Sequence, residues 1–361
     1  SASSGGYIAK LDHNGNFLWA IKTSDSGNAY AVSTLSDGSS IISGKFSGSP
    51  TLGSTTLNSS GWWDIFIAKV DGNGNYLWAK QANGTRHNNS YGISTLSDGS
   101  SIITGHFEGS TSFGDITLTA PEYNDKSVYI AKLDGNGNFL WATSTTKVNG
   151  YIDANDITTL SDGSSIITGS FYGTYKFGDT SLTTSGVGSF EIFVAKLDSN
   201  GNFLWAKQAG GTDSDQAKGV HTFSNGSSII TGYFSGAANF GDTTLNATGR
   251  YDIFIAALDA NGNWISALDL TAPTIAITED DGDDSLGEGD TATITFTLSE
   301  ASSDFVQSDV SISGGTLSSW NAASATSYSA TFTPTADSTA NGVISVASGT
   351  FTDSANNANT D

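Results

Sequence analysis

The stretch that decides the fold is LDGNGNFLWA, residues 133–142, because it recurs along the chain at a nearly constant spacing. Related blocks begin at Leu11, Val70, Leu197 and Leu258, and the last one is altered to LDANGNWISA. The first aspartates of the five blocks lie 59, 63, 64 and 61 residues apart, at Asp12, Asp71, Asp134, Asp198 and Asp259. A second block, TLSDGSSIISG from residue 34, returns at residues 95, 159 and 222. So regular a period identifies a repeated structural unit of about 62 residues.

Each unit has the sequence pattern of β-hairpins. The apolar, β-branched run Asp64–Val70 meets a polar Asp-Gly-Asn-Gly-Asn turn and continues as Tyr76–Ala79. In the same way, Ser97–Ser100 joins the runs at residues 92–96 and 101–105. A third element, FGDITL at residue 113, recurs at 177 and 240, with the variant LGSTTL at 52. Two hairpins give about four strands per unit, which predicts an all-β, β-propeller-like array over residues 1–268.

The count of units is about four and a half. The Asp-x-Asn-Gly-Asn block occurs five times and the Ser-Asp-Gly block four times, so the repeats begin in mid-unit, at Tyr7–Lys10. Two arrangements fit this count: a five-bladed ring with one incomplete blade, or an open stack cut from a longer array. In the last unit, Ser266 and Ala257 replace a repeated tryptophan and lysine, and terminal repeats are often atypical. The array is therefore expected to end near residue 268.

Composition changes sharply after that point. Residues 269–361 contain 14 acidic residues and no lysine or arginine, whereas the first 268 residues have a net charge of −8. Short alternating strand patterns follow at residues 291–298, 310–313, 327–334 and 343–347. A segment of this length with short strands and polar turns predicts a C-terminal immunoglobulin-like (Ig-like) β-sandwich over residues 269–361.

Composition also excludes several classes of function. A net charge of −22 disfavours binding to nucleic acid, and no apolar run approaches the roughly 20 residues that a membrane span needs. The absence of cysteine rules out disulfides and thiolate chemistry. No nucleophile elbow, phosphate-binding loop or dinucleotide fingerprint is present, so we expect no enzyme activity. The absence of methionine and the start in mid-unit predict a slice of a longer chain.

Two families share these motifs. The run from [DE]-I-F-[IV]-A-K through N-G-N-[FY]-L-W-A, with S-D-G-S-S-I-I-T-G and F-G-D-x-x-L, resembles bacterial β-propeller repeats of large secreted and surface proteins over residues 5–268. The stretches LTAPTIAI (270–277), GDTATITFTLSE (289–300), YSATFTP (328–334) and GTFTDSANNAN (349–359) resemble the bacterial Ig-like domains of giant adhesins and biofilm proteins. This resemblance implies an extracellular, adhesive or matrix role. Its implied partners are neighbouring domains of the same chain, surface glycans or like chains in a fibre.

Acidic residues of the second domain are the candidate calcium ligands. Seven carboxylates within residues 279–290 repel one another unless a cation or water screens them, and calcium takes six to eight oxygen ligands. In the domains that this segment resembles, calcium commonly stiffens the junctions between domains. The candidates are Asp269, Glu279, Asp280, Asp281, Asp283, Asp284, Asp290, Asp353 and Asp361. The alternative is a solvated acidic loop that aids solubility.

The repeated turns and tryptophans have a structural reading beside a functional one. Asp-x-Asn-Gly-Asn resembles the start of an EF-hand loop, but Thr23 stands where the first copy would need a bidentate glutamate. Asn, Asp and Gly also favour tight turns for backbone reasons alone, which is the preferred interpretation. The repeated tryptophans, at one fixed position per unit, are expected to pack between units rather than to stack on sugars.

Aromatic residues that break the repeat are the candidate ligand-binding residues. Trp62 and Trp63 have no sequence counterpart in the other units, and Tyr30 and Tyr91 stand where asparagine and lysine occur elsewhere. The sequence therefore predicts a non-enzymatic structural or adhesive segment of a large secreted protein, stiffened by calcium. The alternative is a glycan-binding module. A polysaccharide-degrading enzyme ranks third, since it needs two acidic residues converging in one pocket.

Overall fold

A computed structural model describes residues 5–23, 26–120, 125–186, 188–281, 285–286 and 289–360. It divides into two compact units. The first unit contains Ser1–Phe223 and Ser228–Ser266, and the second contains Ser224–Ser227 and Ala267–Asp361. Each unit has its own hydrophobic cores. Among the described residues, no helix has the length and apolar character of a membrane-spanning segment.

The first unit consists of a half-repeat and four full repeats. The half-repeat contains β1 (Tyr7–Leu11) and β2 (Phe17–Lys22). Repeat 1 contains β3 (Gly27–Thr34), β4 (Ser40–Phe46), β5 (Thr51–Leu52), β6 (Thr55–Thr56), β7 (Asp64–Val70) and β8 (Tyr76–Gly84). Repeat 2 contains β9 (Asn88–Thr95), β10 (Ser101–Glu108), β11 (Ser110–Phe113), β12 (Ile116–Thr119), β13 (Lys126–Leu133) and β14 (Phe139–Ser144).

Repeats 3 and 4 continue the same plan. Repeat 3 contains β15 (Thr146–Thr159), β16 (Ser165–Phe177), β17 (Thr180–Thr183), β18 (Glu191–Leu197) and β19 (Phe203–Ala209). Repeat 4 contains β20 (Gln216–Thr222), β21 (Ser228–Phe234), β22 (Ala237–Phe240), β23 (Thr243–Asn246), β24 (Asp252–Leu258) and β25 (Trp264–Ile265).

Each full repeat forms an antiparallel sheet of four main strands in sequence order. The order is β9-β10-β13-β14 in repeat 2, and the other repeats match it. This confirms the all-β fold with four-stranded, propeller-like repeats. The F-G-D block, which the sequence left unassigned, forms a further short hairpin, such as β11 with β12. In the half-repeat, β1 and β2 correspond to the third and fourth strands of a full repeat.

The cores of this unit lie between consecutive repeats. Ile65 and Ile67 of β7 are fully buried in one cluster with Ile93 of β9 and Tyr129 of β13. Equivalent clusters join repeats 2 and 3 and repeats 3 and 4. Because each third strand is covered on both faces, it has a nearly continuous apolar sequence rather than a strict alternation.

Every Asp-x-Asn-Gly-Asn block forms the same tight turn. Asp71 Oδ1 accepts hydrogen bonds from the backbone N–H groups of Asn73 and Asn75, at 2.8 Å each, and Asp71 Oδ2 accepts one from Asn75 Nδ2 at 2.9 Å. Gly74 has a φ of +85°, which residues with a Cβ rarely adopt. The bond from the Asn75 side chain is the largest of several that lower the pKa of Asp71. These residues therefore serve the turn itself.

The repeated tryptophans connect each repeat to the turn of the next. Trp78 Nε1 donates a hydrogen bond of 3.1 Å to the backbone carbonyl of Gly135, and its ring lies against Gly137, where a Cβ would come within 2.9 Å. The same ring–glycine contact recurs at three further junctions: Trp19–Gly74, Trp141–Gly201 and Trp205–Gly262. The tryptophans thus pack between repeats, and the turn glycine is needed both for its φ and for this close approach.

The second unit is a β-sandwich. Its strands are β26 (Ile275–Glu279), β27 (Ala292–Leu298), β28 (Val310–Ser313), β29 (Gly315–Ser324), β30 (Ser327–Pro334) and β31 (Val343–Val346), with a 3-10 turn at Gln307–Asp309. One sheet has the order β26-β27-β30-β29 and the other pairs β28 with β31. Phe296 of the first sheet and Val346 of the second share one core with Phe305 and Phe351. The structure confirms the four strands predicted in this segment.

Candidate functional site

Three carboxylates converge in the second unit. Asp269, Glu300 and Asp353 each offer an oxygen atom, and the three atoms lie within 4.8 Å of one another. Asp269 is exposed, Glu300 is half-buried and Asp353 is buried. We call these three residues the carboxylate cluster. It is the group of potential metal-ligating side chains that this structure contains within its described residues.

The fold brings the cluster together from distant parts of the domain. Asp269 precedes the first strand, Glu300 follows β27 by two residues, and Asp353 begins a turn near the end of the domain. Asp269 Oδ1 accepts a 3.0 Å hydrogen bond from the N–H of Thr271, which orients its carboxylate. Asp353 is held by the N–H groups of Ala355 and Asn357. Two of the three carboxylates are therefore positioned by their own backbone.

Electrostatics disfavour three adjacent negative charges without a cation. Burial raises the pKa of Glu300, and the charges of Asp269 and Asp353 raise it further. Residues 269–361 contain no lysine or arginine that could neutralise the group. A bound cation would relieve this repulsion.

The chemistry of the donors fits calcium better than other common metals. All three ligands are oxygen atoms, which suit calcium or magnesium, and no cysteine exists in the chain for a thiolate zinc site. Asp353 Oδ1 already accepts two hydrogen bonds and Oδ2 accepts one from Asn357 Nδ2, so Asp353 has limited capacity left. Calcium, with its flexible geometry, would complete six to eight ligands with water beside these three residues.

The structure brings together two of the nine predicted metal ligands, Asp269 and Asp353. Asp283, Asp284 and Asp361 lie outside the described residues, as does Glu288. Glu279, Asp280, Asp281 and Asp290 are described but are not members of the carboxylate cluster. The acidic loop and the cluster are thus separate groups of carboxylates.

Two residues of the acidic loop accept hydrogen bonds from nearby backbone. Glu279 Oε2 accepts the N–H of Asp281 at 2.5 Å, and Asp280 Oδ1 accepts the N–H of Thr293 at 2.6 Å. Hydrogen bonding to Thr293 also lowers the pKa of Asp280. In these positions the carboxylates stabilise the loop and the start of β27.

Glu300 was missed by the sequence reasoning. It is an isolated acidic residue at the end of a strand pattern, separated from Asp269 by 31 residues and from Asp353 by 53. The one available signal was its place directly after a predicted strand, where a side chain can reach the end of the sandwich.

Three of the four predicted ligand-binding aromatics lie around one lysine in the first unit. The rings of Tyr30 and Tyr91 are 5.1 Å apart, and Lys45 Nζ lies 5.7 Å from the Tyr30 ring and 4.7 Å from the Trp63 ring. We call Tyr30, Lys45, Trp63 and Tyr91 the aromatic cluster. Trp62 is 70% exposed and its ring contacts His87.

The strand register corrects one expectation about these tryptophans. Trp63 directly precedes a third strand, and the same position holds Lys126, Phe190 and Tyr251 in the other repeats. Trp63 therefore has two aromatic counterparts, which the loop differences hid in the sequence. Trp62 has none, since Asp125, Ser189 and Arg250 stand in its place.

A buried polar network continues inward from Tyr91. Asn89 Nδ2 donates a 3.0 Å hydrogen bond to the Tyr91 hydroxyl and lies 3.0 Å from His106 Nε2. His106 Nδ1 is 2.5 Å from Asp153 Oδ1, and Lys126 Nζ is 3.6 Å from the same oxygen. Burial lowers the pKa of His106 and raises that of Tyr91 to about 12. Aromatic faces beside fixed hydrogen-bonding groups are typical of sites that bind polar, ring-shaped ligands.

A groove of about 550 Å³ lies elsewhere in the first unit, between repeats 3 and 4. Among the lining residues that the structure describes, Glu191 is the acidic one. Its Oε1 accepts hydrogen bonds of 2.6 Å from the N–H and the hydroxyl of Ser185, and its Oε2 accepts one from Gln208. The lining described here thus presents one carboxylate, which holds its own loop in place.

Comparison with known proteins assigns the second unit and relates the first to a repeat protein. Residues 269–361 match the family model of the bacterial Ig-like domain. An uncharacterised WD repeat-containing protein of Acanthamoeba polyphaga mimivirus is 30% identical over 205 residues, which are 48% of this chain and 14% of that protein. The chain thus spans about a seventh of this relative's length. The specific resemblance of the repeats to bacterial propeller proteins stays a prediction. The chain carries a bacterial Ig-like domain after an array of propeller-like β-repeats.

Proposed function

We propose that the chain is a non-enzymatic structural segment of a large secreted or cell-surface protein, in which calcium stiffens the Ig-like domain. The observation that carries this proposal is the convergence of Asp269, Glu300 and Asp353. The bacterial Ig-like domain supports a place in a surface protein. Extracellular modules typically bind calcium with dissociation constants of about 0.1–1 mM, within reach of a small, hydrated carboxylate site.

A cation at the cluster would connect the start, the middle and the end of one domain. Asp269 would be tied to the turn of Asp353 and to the end of β27 through Glu300. Such a link resists extension of the chain, because the two ends of the domain cannot separate without losing ligands. This mechanical role is what a segment of an adhesive surface protein requires.

Thermal unfolding of the full chain tests the calcium part of the proposal. At about 10 mM calcium and a dissociation constant of about 0.3 mM, linkage predicts about 2 kcal/mol of added stability for the Ig-like domain. Calorimetry with calcium and with a chelator measures this difference. An equal concentration of magnesium, which demands a stricter geometry, should give a smaller shift.

Two carboxylate-to-amide variants locate the site. Glu300→Gln removes a cluster ligand and should abolish most of the calcium-dependent shift. Glu279→Gln, in the acidic loop, is the matched control and should keep it. The opposite result would move the site to the acidic loop, and an unchanged midpoint in the parent chain would refute calcium binding altogether.

A second function, glycan binding, is favoured by the aromatic cluster. Tyr30 and Tyr91 offer adjacent rings, and Lys45, Asn89 and the Tyr91 hydroxyl offer hydrogen-bonding groups beside them. Sugars present apolar ring faces and hydroxyl groups, which match both kinds of contact. We place this function second, because Lys45 also satisfies Trp63 and Tyr30 through cation–π contacts of its own.

A glycan array with the full chain tests the second function. Tyr30→Ala removes a half-exposed ring and should weaken any captured glycan at least about 10-fold, as loss of one stacking contact implies. Trp62→Ala, which removes the exposed tryptophan outside the cluster, should leave that binding unchanged. Binding that survives Tyr30→Ala but is lost in Trp62→Ala would place the site at Trp62 instead.

A further inference from the structure

The last repeat leaves an apolar face uncovered. Ile253 is 86% exposed and Ile255 is 72% exposed. The residues that occupy the same two register positions in repeats 1 to 3 are all fully buried: Ile65, Val128 and Ile192 for the first position, and Ile67, Ile130 and Val194 for the second. The last repeat thus keeps the side chains of an inter-repeat interface without the repeat that would cover them.

The first strands of the array leave the opposite face uncovered. Tyr7 of β1 is 74% exposed, whereas its counterparts in the full repeats, Phe66, Tyr129, Phe193 and Phe254, are buried. Val32 of β3 is 57% exposed, whereas its counterparts Ile93, Ile157 and Val220 are buried. Uncovered apolar patches of this kind mark interaction surfaces.

Inside the chain, these two faces meet each other. The core between repeats 1 and 2 contains Ile65 and Ile67 from one side and Ile93 and Tyr129 from the other. Ile253 and Ile255 match the first pair, and Val32 and Tyr7 match the second. The chain builds this interface three times, so its two exposed ends are complementary halves of a fourth.

The edge of the last sheet is also incomplete within the described residues. The third strand of repeat 3 pairs with its fourth strand from Ile192 to Leu197. In repeat 4 the fourth strand is two residues long and pairs only with Ala257 and Leu258 of β24. The earlier residues of β24, which carry Ile253 and Ile255, therefore present backbone groups as well as apolar side chains at this edge.

We infer that the exposed face of repeat 4 binds the exposed N-terminal face of a second copy of this chain, head to tail. The second copy is the occupant that fits, because it carries the complementary half of an interface that each copy already builds internally. This inference goes beyond the proposed function and depends on neither the carboxylate cluster nor the aromatic cluster. It turns a structural segment into one that associates end to end through its repeats.

The contact is weaker than the internal interfaces. Ser266 replaces the tryptophan that elsewhere reaches the next turn, and Ala257 replaces the lysine whose counterpart Lys10 donates a hydrogen bond to Gly72. On the other face, Gly15 has open space where the corresponding glycines contact a tryptophan ring. Association is therefore reversible and depends on concentration.

Analytical ultracentrifugation of the full chain between about 1 and 100 μM tests the contact. The average mass should rise with concentration, and Ile253→Asp or Tyr7→Asp should each abolish the rise. Both residues are already exposed, so both variants should fold, which circular dichroism checks. Thr244→Asp, on the exposed hairpin strand β23, is the control and should associate like the parent.

Mixing the two variants distinguishes head-to-tail from symmetric association. One variant keeps an intact N-terminal face and the other an intact repeat 4 face, so the mixture should form dimers and nothing larger. A parent chain that stays monomeric at all concentrations would overturn the inference. So would dimers that are lost in Ile253→Asp but kept in Tyr7→Asp, because they would show a symmetric contact.

Cysteine trapping gives a second, independent readout, since the chain has no cysteine of its own. Ile253→Cys mixed with Tyr7→Cys should form a mixed disulfide dimer faster than either variant forms its own dimer. A double variant that forms its disulfide within a monomer would overturn the inference, because the two faces would then meet in one copy.

Discussion

One turn occurs in both units of the molecule, and only one of its two settings gathers further carboxylates. In the repeats, Asp71 Oδ1 accepts N–H groups two and four residues later, and its Oδ2 accepts the side chain of Asn75. In the Ig-like domain, Asp353 makes the same three bonds with Ala355 and Asn357. Asn356, with a φ of +64°, takes the position of the repeat glycine.

The surroundings of the two turns differ. The Asp71 turn supports a hairpin and receives a tryptophan ring from the preceding repeat. The Asp353 turn is buried and lies beside Asp269 and Glu300. The comparison teaches that an Asp-x-x-x-Asn pattern is sufficient for a turn, whereas a metal site requires carboxylates that only the tertiary fold brings near.

The largest effect that sharpens this comparison is expected from replacing the turn aspartates. Asp353→Ala removes three hydrogen bonds to a buried carboxylate and should destabilise the Ig-like domain by about 3 kcal/mol. Asp71→Ala removes the same bonds at the surface, where water replaces them, and should cost clearly less. Chemical denaturation of both variants measures the difference, and equal losses would show that the setting of the turn does not matter.

The turn glycines should give the next largest effect. Gly74→Ala places a Cβ at a φ of +85° and 3.0 Å from the Trp19 ring, so it should cost about 2 kcal/mol. Gly15→Ala, at the same turn position with open space around it, should cost only about 1 kcal/mol.

The corresponding exchange in the Ig-like domain is a control for the backbone alone. Asn356→Gly should change stability by less than about 0.5 kcal/mol, since asparagine tolerates this φ well. Thermal unfolding of the three glycine and asparagine variants checks the order. A cost for Gly15→Ala as large as that for Gly74→Ala would exclude the tryptophan contact as the cause.

The smallest effect concerns acid. Hydrogen bonds from asparagine lower the pKa of Asp71 below its ordinary value of 3.8. A carboxyl whose pKa is lowered by folding stabilises the native state above pH 3.8, and this contribution is lost as the pH falls through the lowered pKa. Asp71→Asn removes the titrating group, so the difference in unfolding free energy between parent and variant should shrink from pH 7 to about pH 3. An unchanged difference in urea unfolding would contradict this.

Much of the fold was predictable because it is encoded locally. The run Asp64–Val70 predicts a strand with the observed bounds, and the Asp-x-Asn-Gly-Asn turn follows from three residue types with known backbone preferences. The F-G-D hairpin was not predicted as strands, because each of its strands is only two to four residues long outside repeat 3.

The candidate site was predictable only in part. Asp269 and Asp353 were found through their places at the two ends of a domain, but nothing local marks Glu300, whose role comes from tertiary proximity. Tyr30 and Tyr91 were found because they break the repeat, and their contact depends on the packing of β3 beside β9. Patterns along the chain therefore identify turns and strands, while convergence of distant side chains has to be seen in three dimensions.

The tryptophan–glycine contacts have a consequence for how such a chain can evolve. Each contact pairs the tryptophan of one ten-residue block with the glycine of the next, and every complete block carries both. A tandem duplication of one whole repeat therefore creates a junction that is already matched, wherever the breakpoints fall. Recombination can lengthen or shorten the array without any compensating substitution until it reaches the final block, where Ser266 ends the series.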